Sequence, residues 1–480
     1  MTIRLHLLPW DRPLLPQAVD LLAAGWSGEG PLNLEDWLVV VPTRQSGRRL
    51  REALAAHAAA RGQAVFPPRV VPPETFATLG APTAGVASRL ASQLAWITVL
   101  RAVPLGEFRA VFPVDPPARD FTWARRLAGQ FLHLQSTLAE AGLRMAGVAA
   151  RAGTDFPEVA RWVQLARLEQ SYDAELAARH LRDVQAAKLD CAASPSLPPG
   201  IKKIIVLATP DPLPLAIGML ARLAERMPVE IAVCGPAAEP LETLFDEWGR
   251  PRAEVWAERM PAWQDFEQRV RLCPDPAAQA GQIATLAQGY AAPEGLLAVG
   301  VADPEVLAPL ENGLARAGVP AFNPAGWPRK RDALHALLAL LADFAAAADF
   351  VPAAALLRCP AVLDWLGGRV GAGFSPAKLL AELDELHAGH LPPTLAAARD
   401  HAAGFPAVAG ALAALAELRV ALARGAFPAN TLGVLRTLFA APRMESDAPL
   451  VESAEAWREV LQETGRALAD FPGLTLTESW

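Results

Sequence analysis

Four short apolar runs constrain the fold of this chain more than any other feature of its sequence. They lie at 3–8, 37–43, 203–210 and 229–235 and read IRLHLL, WLVVVPT, KIIVLATP and VEIAVCG. Each run is apolar nearly throughout and is followed by a turn and a helical pattern, which is typical of strands covered by helices on both faces. The runs therefore predict an α/β domain built on a parallel sheet.

The long gap between the second and third runs predicts an insertion. Segments 88–103, 118–142 and 159–183 show the i, i+3, i+4 spacing of apolar residues that is typical of amphipathic helices. We expect this helical block to be inserted inside the α/β domain. The parts of the domain before and after it must then meet in one sheet.

A second α/β unit is predicted to begin near residue 268. The segments RVRLCPDP (269–276) and GLLAVGVAD (295–303) resemble short strands. A helical pattern follows at 277–291, and 304–322 reads as a helix and the start of a further strand. From residue 332 onward the pattern is almost wholly helical and rich in Ala and Leu. The longest apolar stretch, 333–357, contains charged residues and a proline, so it predicts a buried or amphipathic helix and not a membrane span.

Composition narrows the class of protein. Apolar residues make up 52% and charged residues 20% of the chain, which is typical of a globular protein. The net charge of -7 argues against a uniformly basic surface for nucleic acid, although it permits a local basic groove. The cysteines form no C-x-x-C motif, and the N-terminal apolar run is too short for a signal peptide. We expect a soluble cytoplasmic protein with reduced thiols and without a metal site.

The segment VVVPTRQSGRRLREALAAHAAARG (39–62) is the most informative one for binding. It predicts a helix that begins after Thr43, with Arg44, Arg48 and Arg51 on one face at i, i+4 and i+7. A helix N-terminus beside an arginine row can hold a phosphodiester backbone. The alternative is a capping threonine beside a solvated helix face.

The order of several segments resembles the N-terminal region of AddB-type proteins, which belong to the RecB-like group of helicase–nucleases. The first two are PTR-x-x-x-RRLRE and PRVVPPETFATL (68–79). Four more segments follow in the order that they have in the family: 124–143, 160–183, 203–223 and 296–326. The segment 160–183 includes an aspartate of the family pattern, at Asp183. The match covers most of residues 1 to 360, and the C-terminal helical part resembles the family more distantly.

The resemblance implies a P-loop-helicase-like motor domain with a large helical insertion, followed by a second α/β region and a largely helical region. It divides the chain into five parts. Domain 1A comprises 1–87 and 196–262, and a 1B-like insertion at 88–195 lies between these parts. The start of a 2A-like domain follows at 263–331, and a 2B-like region at 332–480 is expected to continue beyond the chain end. We expect contacts with DNA phosphates from six residues, first Thr43, Arg44, Arg48 and Arg51 and then Arg69 and Thr75. An AddA-type partner would supply the active motor.

The ATPase motifs of this superfamily are altered here. The turn that binds phosphate, G-x-x-x-x-G-K-[ST], would fall on PWDRPLLPQ (9–17), which has no glycine and no lysine and whose prolines lack amide donors. The acidic D-E-x-Q-D motif would fall on residues 207–211, where only Asp211 is acidic. Because both halves of the site are altered, neither ATP hydrolysis nor a bound cofactor is expected.

The nuclease motif of the family is also missing from this chain, because no lysine is preceded by an acid two positions earlier. In the family the nuclease lies at the C-terminal end, so we expect this chain to be either a fragment of a longer protein that could carry the nuclease after residue 480 or a truncated gene product. Glu382, Asp384, Glu385 and His387 suggest either metal ligands or a solvated helix face. WPRKR (327–331) suggests either a DNA contact through charge and stacking or a surface loop.

The sequence thus predicts a non-hydrolysing, helicase-like DNA-binding and scaffold protein of double-strand-break repair and recombination. The main alternative is an α/β protein–protein interaction platform that does not bind DNA, which the acidic balance favours. A small-molecule enzyme that uses the crevice at the strand ends is a third possibility. The lack of a convergent acid, base and nucleophile argues against it.

Overall fold

The computed structural model describes most of the chain: residues 3–80, 84–153, 155–237, 239–259, 265–293, 297–326, 332–423, 427–440, 448–475 and 478. The protein is of mixed α/β class with a parallel sheet. Its contacts divide it into two compact units. The first comprises Met1–Arg250 with Arg329–Trp480, and the second is Pro251–Pro328.

The strands belong to two sheets. Their bounds are β1 (Ile3–Pro9), β2 (Leu32–Asn33), β3 (Trp37–Val40), β4 (Val65–Phe66), β5 (Arg69–Val71), β6 (Lys203–Leu207) and β7 (Val229–Gly235). The main sheet has five strands in the order β1-β7-β6-β3-β5, and its neighbours are all parallel. Strands β2 and β4 form a separate parallel pair.

Helices α1 (Leu14–Ala23) and α2 (Arg44–Ala59) cover one face of the main sheet. Because successive residues of a strand point to opposite faces, alternate residues of neighbouring strands form this core. Val39, Ile205 and Ala232 lie there against Leu22 and Leu54 of the two helices. The helix α9 (Pro214–Ala224) follows β6, and the short α10 (Leu241–Leu244) follows β7.

The prediction of a parallel sheet from four apolar runs is confirmed, and two of the strands end earlier than predicted. Strand β3 ends at Val40, two residues before Pro42, which has no N–H for the ladder. Strand β6 ends at Leu207, because Ala208 has a left-handed φ of 45°. The sequence did not predict β5. Its three residues lie between prolines, and so short a run gives no pattern.

The helical insertion lies between β5 and β6. Its helices are α3 (Pro73–Phe76), α4 (Arg89–Ala102), α5 (Phe121–Glu140), α6 (Met145–Arg151), α7 (Val159–Ala177) and α8 (Val184–Ala193). Backbone hydrogen bonds of 2.8 and 2.9 Å join Arg182 to Gly85 and Ala87, where the chain enters the insertion. Because β3 pairs with β6 and β1 with β7, the parts of the domain meet in one sheet as predicted.

A polar network runs through the apolar core of the insertion. The Trp96 indole N–H donates to Gln135 Oε1 at 2.9 Å, and Gln135 Nε2 donates to Glu169 Oε1 at 3.1 Å. Glu169 also accepts a bond of 3.1 Å from the Met145 amide and lies 3.4 Å from Arg144 Nη2. Burial raises the pKa of Glu169, although the hydrogen bond from Gln135 and the charge of Arg144 oppose that rise.

Asp183 has a structural role in the same insertion. This buried carboxylate caps α8 by accepting a 2.8 Å bond from the Ala186 amide, and it accepts another of 2.8 Å from the Tyr172 hydroxyl. The resemblance to AddB-type proteins included Asp183. The contacts show that it joins Tyr172 of α7 to the start of α8.

The C-terminal helices form another apolar core of the first unit. Their bounds are α15 (Ala333–Ala346), α16 (Phe350–Leu357), α17 (Pro360–Val370), α18 (Pro376–His390), α19 (Leu395–His401), α20 (Pro406–Ala423), α21 (Phe427–Leu438) and α22 (Ala448–Asp470). The end of α22 contributes to the core of the insertion through Ala467, and Phe471 follows it there. Arg179 of the insertion lies over the Phe471 ring at 4.2 Å and donates to the Asp470 carbonyl at 2.7 Å.

One described helix, α20, is long and apolar enough to span a membrane by length and composition, and the bent pair α16 and α17 would add a second if counted as one span. Within α20, Val408, Leu412, Leu415 and Leu418 are buried in the C-terminal core. A core helix of this length passes the same test, so the finding is weak evidence for a membrane span.

The second unit contains helices but no strand among its described residues. Its helices are α11 (Ala253–Ala257), α12 (Phe266–Arg269), α13 (Pro276–Gln288) and α14 (Leu307–Arg316). The strands predicted at 269–276 and 295–303, and the strand start after α14, are wrong for the residues described there. An apolar pattern shows that a segment has side chains suited to burial, but a strand also needs a neighbouring strand to pair with. Leu272, in the first of these segments, is not even buried, since it is 98% exposed.

Polar side chains cross the main sheet near its amino end. The Glu230 carboxylate of β7 contacts His6 Nε2 of β1 at 3.0 Å and Lys203 Nζ of β6 at 2.8 Å. Lys203 Nζ also lies 4.0 Å from the centre of the Trp37 ring of β3. Burial acts to raise the pKa of Glu230, but the hydrogen bonds and charges of Lys203 and His6 outweigh it and lower the pKa below the ordinary glutamate value.

We expect Glu230→Gln to lower the free energy of unfolding at neutral pH by about 1.5–3 kcal/mol, which is typical of a hydrogen bond to a charged group. Because the pKa is lower in the folded state, the contribution of Glu230 is present above the unfolded glutamate pKa and is lost as pH falls through the folded pKa. Urea unfolding of both proteins between pH 7 and pH 3 measures this difference. The exposed substitution Glu225→Gln is the control, and a gap between wild type and Glu230→Gln that stays constant over this range would contradict the prediction.

Candidate nucleic-acid interface

Helix α2 begins at Arg44 because Thr43 caps it. The Thr43 backbone is extended, and its Oγ1 accepts a hydrogen bond of 3.0 Å from the Ser46 amide. The hydroxyls of Thr43 and Ser46 lie 2.8 Å apart and form a second bond. The capping interpretation of Thr43 is therefore confirmed, while its contact with a phosphate remains a prediction.

We expect Thr43→Ala to lower the free energy of unfolding by about 1 kcal/mol, because the substitution removes the side-chain cap of α2. Thr43→Ser keeps the acceptor oxygen and is the matched control, which should stay close to wild type. Urea titration of the three proteins measures the effect. Equal losses in both variants would show that the methyl group of Thr43 matters and not its hydroxyl.

The predicted arginine row lies on the solvent side of α2. The helix runs unbroken through Arg44, Arg48 and Arg51, so their Cα positions fall within about 60° around its axis. All three side chains are exposed. The adjacent side, about 80° away around the helix axis, packs on the sheet through four buried residues: Gly47, Leu50, Leu54 and Ala58.

Helix α2 is strongly basic although the protein is acidic. Its sequence RQSGRRLREALAAHAA contains four arginines and one acid, Glu52. Glu52 pairs with Arg48 at 2.8 Å. Many arginines of the insertion instead lie beside a carboxylate, as in four pairs: Arg109–Asp115, Arg161–Glu158, Arg167–Glu107 and Arg182–Asp190. Positive charge is therefore less neutralised by neighbouring acids along α2 than in these parts of the insertion.

The structure brings Thr75 to the same end of the sheet as Thr43, but it does not do so for Arg69. Thr75 lies in α3, directly after the carboxyl end of β5, beside the end of β3. Arg69 is the first residue of β5 and pairs in register with Leu38. Val70 packs against Gly47 of α2, so alternation along the strand places Arg69 on the other face.

The turn after β1 presents carbonyl oxygens where a phosphate-binding turn presents amides. The Gln17 side-chain amide donates to the carbonyls of Pro9, Arg12 and Pro13 at 2.8, 3.0 and 3.2 Å. Asp11 is exposed beside them. A phosphate requires hydrogen-bond donors, whereas this turn offers acceptors that already bind a donor from its own helix.

The segment after β6 also differs from an ATPase site. Strand β6 ends at Leu207, and Ala208 follows with a left-handed φ of 45°. Thr209 is buried and its hydroxyl donates to the Leu207 carbonyl at 3.3 Å. Asp211 lies exposed, four residues beyond the end of the strand. The described residues 207–210 therefore supply no carboxylate at the strand end, where this motif would hold magnesium.

The acidic segment of α18 makes structural contacts. Glu382 accepts hydrogen bonds of 2.8 and 3.2 Å from the Ala407 and Val408 amides at the start of α20. Asp384 pairs with Arg358. Within the described residues, no three His, Cys, Asp or Glu side chains are grouped as metal ligands. The basic cluster WPRKR lies outside the described residues.

Sequence reasoning did not find Ser46, Gln17 or Glu230. Ser46 stands three residues after Thr43, at the position whose amide an N-cap side chain binds, so its contact with Thr43 had a visible signal in the sequence. Gln17 and Glu230 gave no such signal, because their partners are backbone carbonyls or residues distant in the chain.

Comparison with known proteins adds no family assignment: no protein-family model matches this chain, and no curated protein matches it.

Proposed function

We propose that this chain is the non-hydrolysing, helicase-like DNA-binding and scaffold part of an AddB-type helicase–nuclease in double-strand-break repair and recombination. The observation that carries the proposal is the arginine row of α2. Arg44, Arg48 and Arg51 occupy one exposed face of a helix that begins at the carboxyl end of a parallel strand. Ligands of open α/β sheets bind at this end of the strands, and arginine is a common partner of phosphates.

The position of the insertion supports the resemblance to AddB-type proteins. The resemblance assigns a helical domain to the region between the two ATPase motifs. In the structure, the helices α4 to α8 lie between β5 and β6, which belong to one sheet. The domain therefore has the chain order expected of a motor domain with a large helical insertion.

The two altered ATPase segments support a role without hydrolysis. The turn after β1 places three carbonyls around the Gln17 amide, and the segment after β6 has only Asp211 as an acid. Strand contact does not require that site, because helix termini and arginines bind a phosphate backbone directly. An AddA-type partner in the cytoplasm would then hydrolyse ATP, and this chain would hold the DNA.

Titration with labelled single- and double-stranded DNA at several salt concentrations tests the proposal. We expect the affinity to fall steeply with salt, because each neutralised phosphate releases counterions. We also expect no ATP turnover and no increase in melting temperature with magnesium and ATP, since a ligand that binds only the folded state stabilises it. Failure to bind either DNA at low salt would overturn the DNA-binding role.

An α/β protein–protein interaction platform without DNA binding is the alternative, and two observations favour it. The net charge is -7, and the second unit exposes large apolar side chains, among them Leu272 and Phe322. Exposed apolar surface is typical of sites that bind other proteins. The DNA titration separates the two functions, because the platform would show no salt-dependent binding of DNA.

A further inference from the structure

Arg48 differs from the other two arginines of the row because, among the described residues, a neighbouring carboxylate accepts a hydrogen bond from it. Its Nε donates to Glu52 Oε1 at 2.8 Å, one helical turn further along α2. Among the described residues, the Arg48 side chain makes this one hydrogen bond, which uses one of the five N–H donors of the guanidinium. The donors on both terminal nitrogens are left for a second partner.

The pair contributes little to the helix itself. Both side chains are more than half exposed, at 61% and 51%, and exposed ion pairs add little to stability. The basic residue also precedes the acidic one, which is the less favourable order for an i, i+4 pair. Glu52 is therefore poorly placed as a stabiliser of α2 and well placed as a partner for the Arg48 side chain.

We propose that Glu52 is a positioning residue that holds the Arg48 guanidinium ready for a DNA phosphate. This inference rests on the proposed function. By binding Nε, Glu52 limits the rotation of the long arginine side chain and turns its terminal nitrogens toward solvent in the middle of the row. A side chain that is already ordered loses less freedom when it binds.

Glu52 also has an opposing effect, because its negative charge repels phosphate. Glu52→Gln and Glu52→Ala remove the same charge, so both relieve this repulsion equally. Only glutamine keeps an oxygen that can accept a hydrogen bond from Arg48 Nε. A comparison of the two variants therefore separates the positioning of Arg48 from the change in net charge.

The experiment measures the affinity of wild type, Glu52→Gln and Glu52→Ala for one labelled duplex at fixed salt, with urea unfolding to verify that each is folded. We expect Glu52→Ala to bind about twofold more weakly than Glu52→Gln, because an exposed i, i+4 contact can bias the Arg48 side chain by no more than its own small contribution. In an Arg48→Ala background the two variants should bind equally.

Two outcomes would overturn the inference: equal affinities of the two variants with Arg48 present, or a difference that persists after Arg48 is removed. In both cases wild type still binds DNA, so the proposed function is unaffected. A wild-type protein that does not bind DNA at low salt overturns the proposed function itself, and the positioning role with it.

Discussion

Replacement of Arg44, Arg48 and Arg51 together by alanine should reduce the affinity for duplex DNA a few hundredfold at 0.1 M salt. Each arginine that neutralises a phosphate adds about 0.9 to the slope of log affinity against log salt, so three contacts add about 2.7. Over one decade of salt, from 1 M to 0.1 M, that slope corresponds to roughly 500-fold in affinity. The loss should therefore almost vanish near 1 M salt.

A matched control separates phosphate contact from net charge. The insertion carries three exposed arginines on α5 and α6, namely Arg125, Arg126 and Arg151. Their replacement by alanine changes the charge of the protein by the same amount. If both triple variants lose the same affinity, the arginine row of α2 is not a specific contact, and general electrostatic attraction explains the binding.

The same titration distinguishes the form of DNA. For single strands each phosphate contact adds about 0.7 to the slope, so the triple alanine variant should lose about 2.1 instead of 2.7. Losses in slope of about 2.7 for duplex and about 2.1 for single strands would indicate a contact with the sugar–phosphate backbone alone. A loss confined to one form would show which form α2 binds.

The α/β class, the parallel sheet and the position of the insertion could be predicted, because each depends on patterns within short segments of the sequence. Strands buried on both faces read as apolar runs, as in β6 and β7, and such a run needs no knowledge of its neighbour. The same logic failed at 269–276 and 295–303. An apolar pattern does not show whether a neighbouring strand is there to pair with.

The candidate interface also has a part that the sequence predicts and a part that it does not. The face shared by Arg44, Arg48 and Arg51 depends only on the helical period, and the structure places them accordingly. Thr43 was predicted at the helix start from the preceding strand and turn. By contrast, Arg69 begins a strand of three residues that the sequence does not reveal, and Thr75 follows that strand. Their separation onto different ends of β5 could therefore not be predicted.

Replacement of Trp96 by alanine should be the most destabilising single substitution among those considered, at about 3–5 kcal/mol of unfolding free energy. The ring is fully buried, stacks on Tyr172 with 4.6 Å between ring centres and lies 4.8 Å from the Phe131 ring. Alanine would leave a cavity in this core and would also remove the N–H that donates to Gln135. Urea unfolding followed by circular dichroism measures the loss.

Trp96→Phe separates packing from hydrogen bonding. Phenylalanine keeps a ring against Tyr172 but leaves the Gln135 oxygen without its donor, which should cost about 1–3 kcal/mol. Because Gln135 also donates to Glu169, the substitutions Trp96→Phe and Gln135→Leu should be coupled in a double-mutant cycle. Additive losses would show that the network is a set of independent contacts.

The affinity of the folded Trp96 variants for DNA gives the last test, because Trp96 and α2 belong to different apolar cores. Trp96 lies in the core of the insertion, whereas Leu50 and Leu54 of α2 lie against the main sheet. At a temperature where Trp96→Phe remains folded, we therefore expect wild-type affinity and salt slope. A variant that is folded but binds DNA weakly would place the insertion, and not only α2, in the path of the DNA.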